Sequence, residues 1–157
     1  MTVTFCGHSD IDEEIAVQIW LDKTIRQLCL QGAKQFLLGG YGRFDGLAAA
    51  AVRRIKPSFP DISSILVLPY LDRKADTTFY DASLYPPLEG VPKRFAIPKR
   101  NEWMVDASDV VVAYVLHNWG GAAKTFAYAL RKKKTVICFA NTQIMEATQN
   151  GKAAYRE

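Results

Sequence analysis

Nowhere in its 157 residues does the chain approach the roughly 18 consecutive apolar residues that a membrane helix needs. Residues Met1 to Phe5 enter a strand-like segment directly, without the basic start and apolar stretch of a secretory leader. A cytoplasmic protein with no membrane partner is therefore expected. Cysteines number only three, Cys6, Cys29 and Cys138, and their spacing matches neither a zinc site nor a CxxC redox pair. They read as buried thiols in a reducing compartment. His8 and His117 are the only histidines, too few for a metal centre without carboxylates at fitting distances. No metal and no resident cofactor are expected. Internal repeats and composition breaks are also lacking, so residues 1–157 read as one domain. Charged residues make up 23% of the chain and the net charge is +4. That balance favours anionic partners without separating a nucleotide from a nucleic acid.

Hydrophobic residues account for 49% of the chain, enough for a substantial core. Thr2–Cys6 is β-branched and aromatic and predicts a buried strand that ends at Gly7. From Asp12 to Gln31, Val17, Leu21, Ile25 and Leu28 recur on one helical face, with Asp10 or Asp12 as cap and Gly32 as stop. Gln35–Leu38 predicts a second strand, 45–56 an alanine-rich helix closed by Pro57 and Pro60, and Ser63–Leu68 a third strand. Tyr70 to Pro98 holds four prolines and several aromatics. It reads as an irregular loop or lid, with a short strand around Arg94–Ile97. A helix over 99–107, a strong strand over Asp109–Val115, a helix over 122–132 and a strand over 134–140 follow. The polar tail from residue 141 suggests one short helix over 143–149. This order predicts an α/β fold: a Rossmann-like, doubly wound, mostly parallel sheet of about five strands with helices on both faces.

Ligands of such sheets lie beyond the carboxyl ends of the strands. That rule selects Gly7-His8, Gly39 to Asp45, Pro69 to Asp72, and Leu116 to Gly121. Gly39-Gly40-Tyr41-Gly42 turns a strand into a helix. Such a turn permits positive φ and close backbone approach, and the helix start offers free N–H groups to a phosphate. Arg43 adds charge and Asp45 reads as the helix cap. The spacing is neither the dinucleotide fingerprint nor a Walker loop. Glycines serving turn geometry alone fit the same residues. Gly120-Gly121-Ala122 repeats the arrangement at a second strand end, with Thr125 one turn further along. Arg100-Asn101 supplies a cation suited to phosphate or carboxylate, or a surface arginine at a helix start. His8 is a candidate base, and Asp10 and Asp72 are the best-placed acids, although each also reads as a cap or loop residue.

Taken together, Gly39-Gly-Tyr-Gly-Arg-Phe-Asp45-Gly-Leu-Ala, Arg100-Asn101, Met104-Val-Asp106, Ser108-Asp109-Val-Val-Val and Gly120-Gly121-Ala122 resemble the SLOG superfamily over residues 2 to 140. That group includes the Lonely Guy nucleotide phosphoribohydrolases and the DNA-processing protein of natural transformation. The resemblance implies a Rossmann-like domain holding a nucleotide or ADP-ribose-like ligand between the two glycine turns. It maps the first turn onto Gly39, Gly40 and Gly42, the second onto Gly120 and Gly121, and the basic residue onto Arg100. It also implies a homo-oligomer, a dimer through helices beside the site. The chain departs from the hydrolase branch in one respect. The position of that branch's catalytic Glu falls here at Phe126 and Ala127, and no acid lies between Gly120 and Lys134. The expectation is therefore a sensing or sequestering module for a nucleotide. The alternatives are an N-glycosidic hydrolase or transferase using Asp72, Asp81 or His8, and a single-stranded nucleic-acid binder.

Overall fold

The computed structural model describes residues 1–139. The predicted tail helix over 143–149 lies outside them. Ten regular elements follow one another: β1 (Thr2–Gly7), α1 (Glu14–Leu30), β2 (Gln35–Leu38), α2 (Gly42–Ile55), β3 (Ser63–Val67), β4 (Ala82–Leu84), α3 (Ala96–Asp106), β5 (Val110–Tyr114), α4 (Gly120–Arg131) and β6 (Thr135–Cys138). The six strands form one sheet in the order β4-β3-β2-β1-β5-β6. Every neighbouring pair is parallel.

The chain winds outward from β1 to β4 and then returns to the other side of β1, which places helices on both faces. Strand alternation divides the core accordingly. Val3, Phe5, Phe36, Leu38, Val110 and Val112 pack with Val17, Leu21 and Ile25 of α1 and Leu47, Ala48 and Ala51 of α2. On the opposite face Cys6, Val111 and Ala113 meet Val105 of α3 and Ala129 of α4. The small residues of α2 thus serve its packing in the core. All three cysteines are buried, and burial pushes the Cys6 thiol pKa well up, so it stays a protonated apolar filler.

Two expectations in the loop between β3 and α3 are corrected. The sixth strand is Ala82–Leu84, which extends the sheet through Ile65–Ala82 and Val67–Leu84 pairing. Its three residues are all exposed, so it lacks the apolar pattern by which a strand is read from sequence. Arg94–Ile97, expected as a strand, instead enters a 3-10 turn over Lys93–Phe95 that runs straight into α3. Pro98 sits within the first turn of that helix, where no backbone N–H is required of it. No helix among the described residues is long and apolar enough to cross a membrane.

Candidate functional site

The winding reverses between β1 and β5, and a crevice opens beyond their carboxyl ends, where open α/β sheets bind ligands. The two strands run in register from Val3–Val110 to Gly7–Tyr114. His8 extends the pairing: its N–H donates to the Tyr114 carbonyl at 3.2 Å, and its Nε2 accepts the Leu116 N–H at 2.9 Å. Nε2 is therefore the unprotonated nitrogen of a neutral ring. Burial, followed by the neighbouring His117, holds the His8 pKa below its ordinary value. The His8 ring stacks on His117 at 3.7 Å between centroids, and His117 stacks on Trp119 at 3.6 Å. Trp119 ends this three-ring stack and is 67% exposed. The crevice holds about 400 Å³ and is lined by Gly7, His8, Asp10, Asp12, Trp119 and the Gly120-Gly121-Ala122 turn, among others.

The two glycine turns, alike in sequence, differ in what faces them. At the first, the half-buried Asp45 accepts from the N–H groups of Tyr41, Gly39 and Gly40, with Arg100 alongside. Burial raises its pKa to about 6, while Arg100 and those N–H groups pull it back. The Arg43 N–H donates to the Ser9 carbonyl at 3.0 Å. Gly39 leaves room for the charged pair, because a Cβ there would lie 2.9 Å from Asp45 Oδ2 and 3.1 Å from Arg100 Nη2. Gly40 has φ +79° and a Cβ on it would meet Leu66 at 2.8 Å. The N–H groups of Gly39, Gly40, Tyr41 and Arg43 are thus occupied by the protein itself. Tyr41 is the N-cap residue of α2 and its own side chain makes no cap hydrogen bond; Asp45, in the first turn, reaches back to the Tyr41 N–H and to the two glycine N–H groups before it.

Arg100, expected at the surface or on a ligand, is 2% exposed. Its Nη1 donates to the carbonyls of Gly39 at 2.8 Å and Val67 at 2.7 Å, and its Nε donates to Asn101 Oδ1 at 2.9 Å. It ties the ends of β2 and β3 together beneath the first turn.

The second turn is open. Gly120 has φ +88°, and a Cβ on Gly120 or Gly121 would meet nothing within 4 Å. No side chain caps α4. The N-terminal N–H groups of a 12-residue helix therefore point toward the crevice with the positive end of its dipole. A small cavity of about 110 Å³ joins the two turns, and Cys6, Asp45, Arg100, Asn101, Ala122 and Thr125 are among its lining residues. The Thr125 hydroxyl is engaged with the Gly121 carbonyl at 3.0 Å.

Several sequence candidates stand apart. Arg43 turns to Glu14 on α1, with Nε donating at 3.0 Å. Gly42 packs under Ser9. Asp72 pairs with Lys93. Asp81 accepts from Lys56 at 2.6 Å and from the Ser64 N–H at 2.8 Å, which secures the start of β4. Among the described residues no group of three or more His, Cys, Asp or Glu is arranged to hold a metal ion. The His8–His117–Trp119 stack was not legible as a unit, because it depends on β1 and β5 being neighbours across more than a hundred residues.

A doubly wound parallel sheet with a crevice at its reversal point is thus the class this chain defines. No protein-family model matches the chain, and no curated protein is significantly similar to it in sequence. Solved structures are similar in fold. DNA processing protein A from Helicobacter pylori, described with a single-stranded DNA binding mode, has a TM-score of 0.60 at 18% identity, covering 98% of this chain and 74% of that one. The molybdenum cofactor binding protein from Rippkaea orientalis has a TM-score of 0.59 at 21% identity, covering 98% and 86%. The molybdenum cofactor carrier protein from Chlamydomonas reinhardtii has a TM-score of 0.56 at 18% identity, covering 99% and 89%. The chain shares the Rossmann-like α/β fold of these proteins, the fold that the resemblance to the SLOG superfamily implies.

Proposed function

We propose that the protein binds a nucleotide or nucleotide-derived ligand in the crevice between β1 and β5, as a sensing or sequestering module. A phosphate sits on the N–H groups of Gly120, Gly121 and Ala122, and the base stacks on the exposed face of Trp119. Asp10 and Asp12 at the rim offer acceptors to ribose hydroxyls. The observation that carries this reading is the contrast between the turns: one is filled by Asp45, and the other opens onto about 400 Å³. That volume falls within the roughly 300–1,000 Å³ of small-molecule sites. Neighbours of this fold include a binder of the molybdenum cofactor and a binder of single-stranded DNA, so small-molecule and nucleic-acid binding both occur on it. The walled crevice favours a small molecule here. Binding rather than hydrolysis is favoured because α4 carries no carboxylate.

The test is a thermal-shift series with AMP, ADP-ribose and inorganic phosphate on the intact protein and on Gly121→Asp. A bound ligand raises the melting temperature, with stabilisation of about 2.7 kcal/mol at a hundred times Kd. The new carboxylate meets open space and suits a helix N-terminus, so the variant folds at least as stably, by about 0.3–1 kcal/mol. It loses the nucleotide shift by repelling the phosphate. No shift with any nucleotide, or an undiminished shift in Gly121→Asp, contradicts the proposal.

A further inference from the structure

A second pocket, of about 270 Å³, lies at the far end of the same sheet edge, beneath the segment after β3. Its floor is apolar, made by Leu66, Leu68 and Pro69, and Tyr41, Tyr70 and Tyr80 form its walls. Arg73 and Lys74 stand at its rim, and the Arg73 guanidinium lies 4.0 Å from the centroid of the Tyr70 ring. An apolar floor between phenol rings under an arginine plane suits a flat aromatic ring, with cations placed for a neighbouring phosphate. The volume falls just below the roughly 300 Å³ at which pockets for drug-sized ligands begin, so it holds one ring and its sugar, not a whole dinucleotide.

The small cavity between the turns lies between this pocket and the crevice and shares lining residues with each. Gly121 and Ala122 line both the crevice and the small cavity. Tyr41, which is 52% exposed, lines both the small cavity and the second pocket. The path thus runs from Trp119 across the α4 N-terminus and over Tyr41 to Tyr70 and Arg73. An aromatic platform stands at each end, with phosphate-seeking groups between them and at the far rim.

We infer that the ligand is a dinucleotide, with its first base on Trp119 and its second in the pocket of Tyr70 and Arg73. This deepens the proposed function and rests on its phosphate site at the second turn. The segment from Pro69 to Tyr80 thereby becomes a specificity element that selects two rings over one.

The two claims separate in one calorimetric titration of the full-length protein. The probes are AMP and the dinucleotide made of two AMP units joined through a pyrophosphate. The dinucleotide is expected to bind about tenfold or more tightly than AMP, the gain that one further stacked base supplies. Tyr70→Ala with Arg73→Ala should erase that gain and leave AMP affinity unchanged; both side chains lie outside the crevice, and circular dichroism checks the fold. Equal affinities for the two probes, or a dinucleotide preference that survives the double substitution, overturn the inference while AMP binding keeps the crevice reading. If neither probe binds, both fall.

Discussion

A methyl group on Gly7 would lie 2.3 Å from the Phe44 ring, so the strand that delivers His8 to the crevice ends in glycine for packing reasons. His8 follows directly and carries a pH dependence. Its pKa is lowered from 6.5, first by burial and then by His117. The unfolded chain therefore takes up this proton at a higher pH than the folded protein does. Stability from the neutral ring is present above pH 6.5 and is lost as the pH falls from there toward the folded value. Urea denaturation of the wild type between about pH 7.5 and pH 5.5 should show that loss, and His8→Gln should show less of it. An equal loss in both would mean that His8 is not the group responsible. At this scale the sequence was partly legible. The glycines and His8 stood out because strand ends in parallel sheets are where ligands sit. The role of Arg100 was not legible, since whether an arginine serves a phosphate or two backbone carbonyls depends on β2 and β3 ending beside α3. Asp45 was hidden in the same way: an acid in the first turn of a helix reads as a cap, and only the fold of the turn brings the N–H groups of Gly39 to Tyr41 onto it.

Among the elements, β4 shows where pattern reading stops. Strands β1, β2, β3 and β5 are apolar because they are covered on both faces, and their positions were legible from that alone. β4 is a three-residue edge strand with no buried side chain. It is held by backbone pairing to β3 and by Asp81, which accepts from the Ser64 N–H at 2.8 Å and lies next to Ala82. Asp81→Ala should cost about 1–2 kcal/mol, the usual effect of leaving a part-buried N–H without its partner. Hydrogen exchange should speed up at Ala82 to Leu84 while β1 and β5 keep their protection. Unchanged exchange at β4 would show that the strand pairs without this carboxylate. The same element governs the further inference, because β4 is where the segment carrying Tyr70 and Arg73 returns to the sheet. Helix α3 starts earlier than its proline suggested, because a proline within the first helical turn has no hydrogen bond to lose.

For the molecule as a whole, the order of the strands decides where the candidate site lies. Because the winding reverses at β1, the start of α4 and the loop after β1 face one another across a crevice, and the aromatic stack of His8, His117 and Trp119 forms between them. The same winding packs Ser9, Asp45 and Arg100 against the first glycine turn. The doubly wound class and the presence of two glycine turns were readable from strand and helix patterning. The inequality of the turns was not, since their sequences are alike and only their surroundings differ. That inequality puts a bound phosphate at the second turn and not the first. Its most direct test is to follow the backbone amides of the protein by NMR as AMP is added. The expected result is that the resonances of Gly120, Gly121 and Ala122 move with ligand while those of Gly39, Gly40 and Tyr41 stay in place. Movement at Gly39 to Tyr41 with Gly120 to Ala122 unchanged would contradict the account.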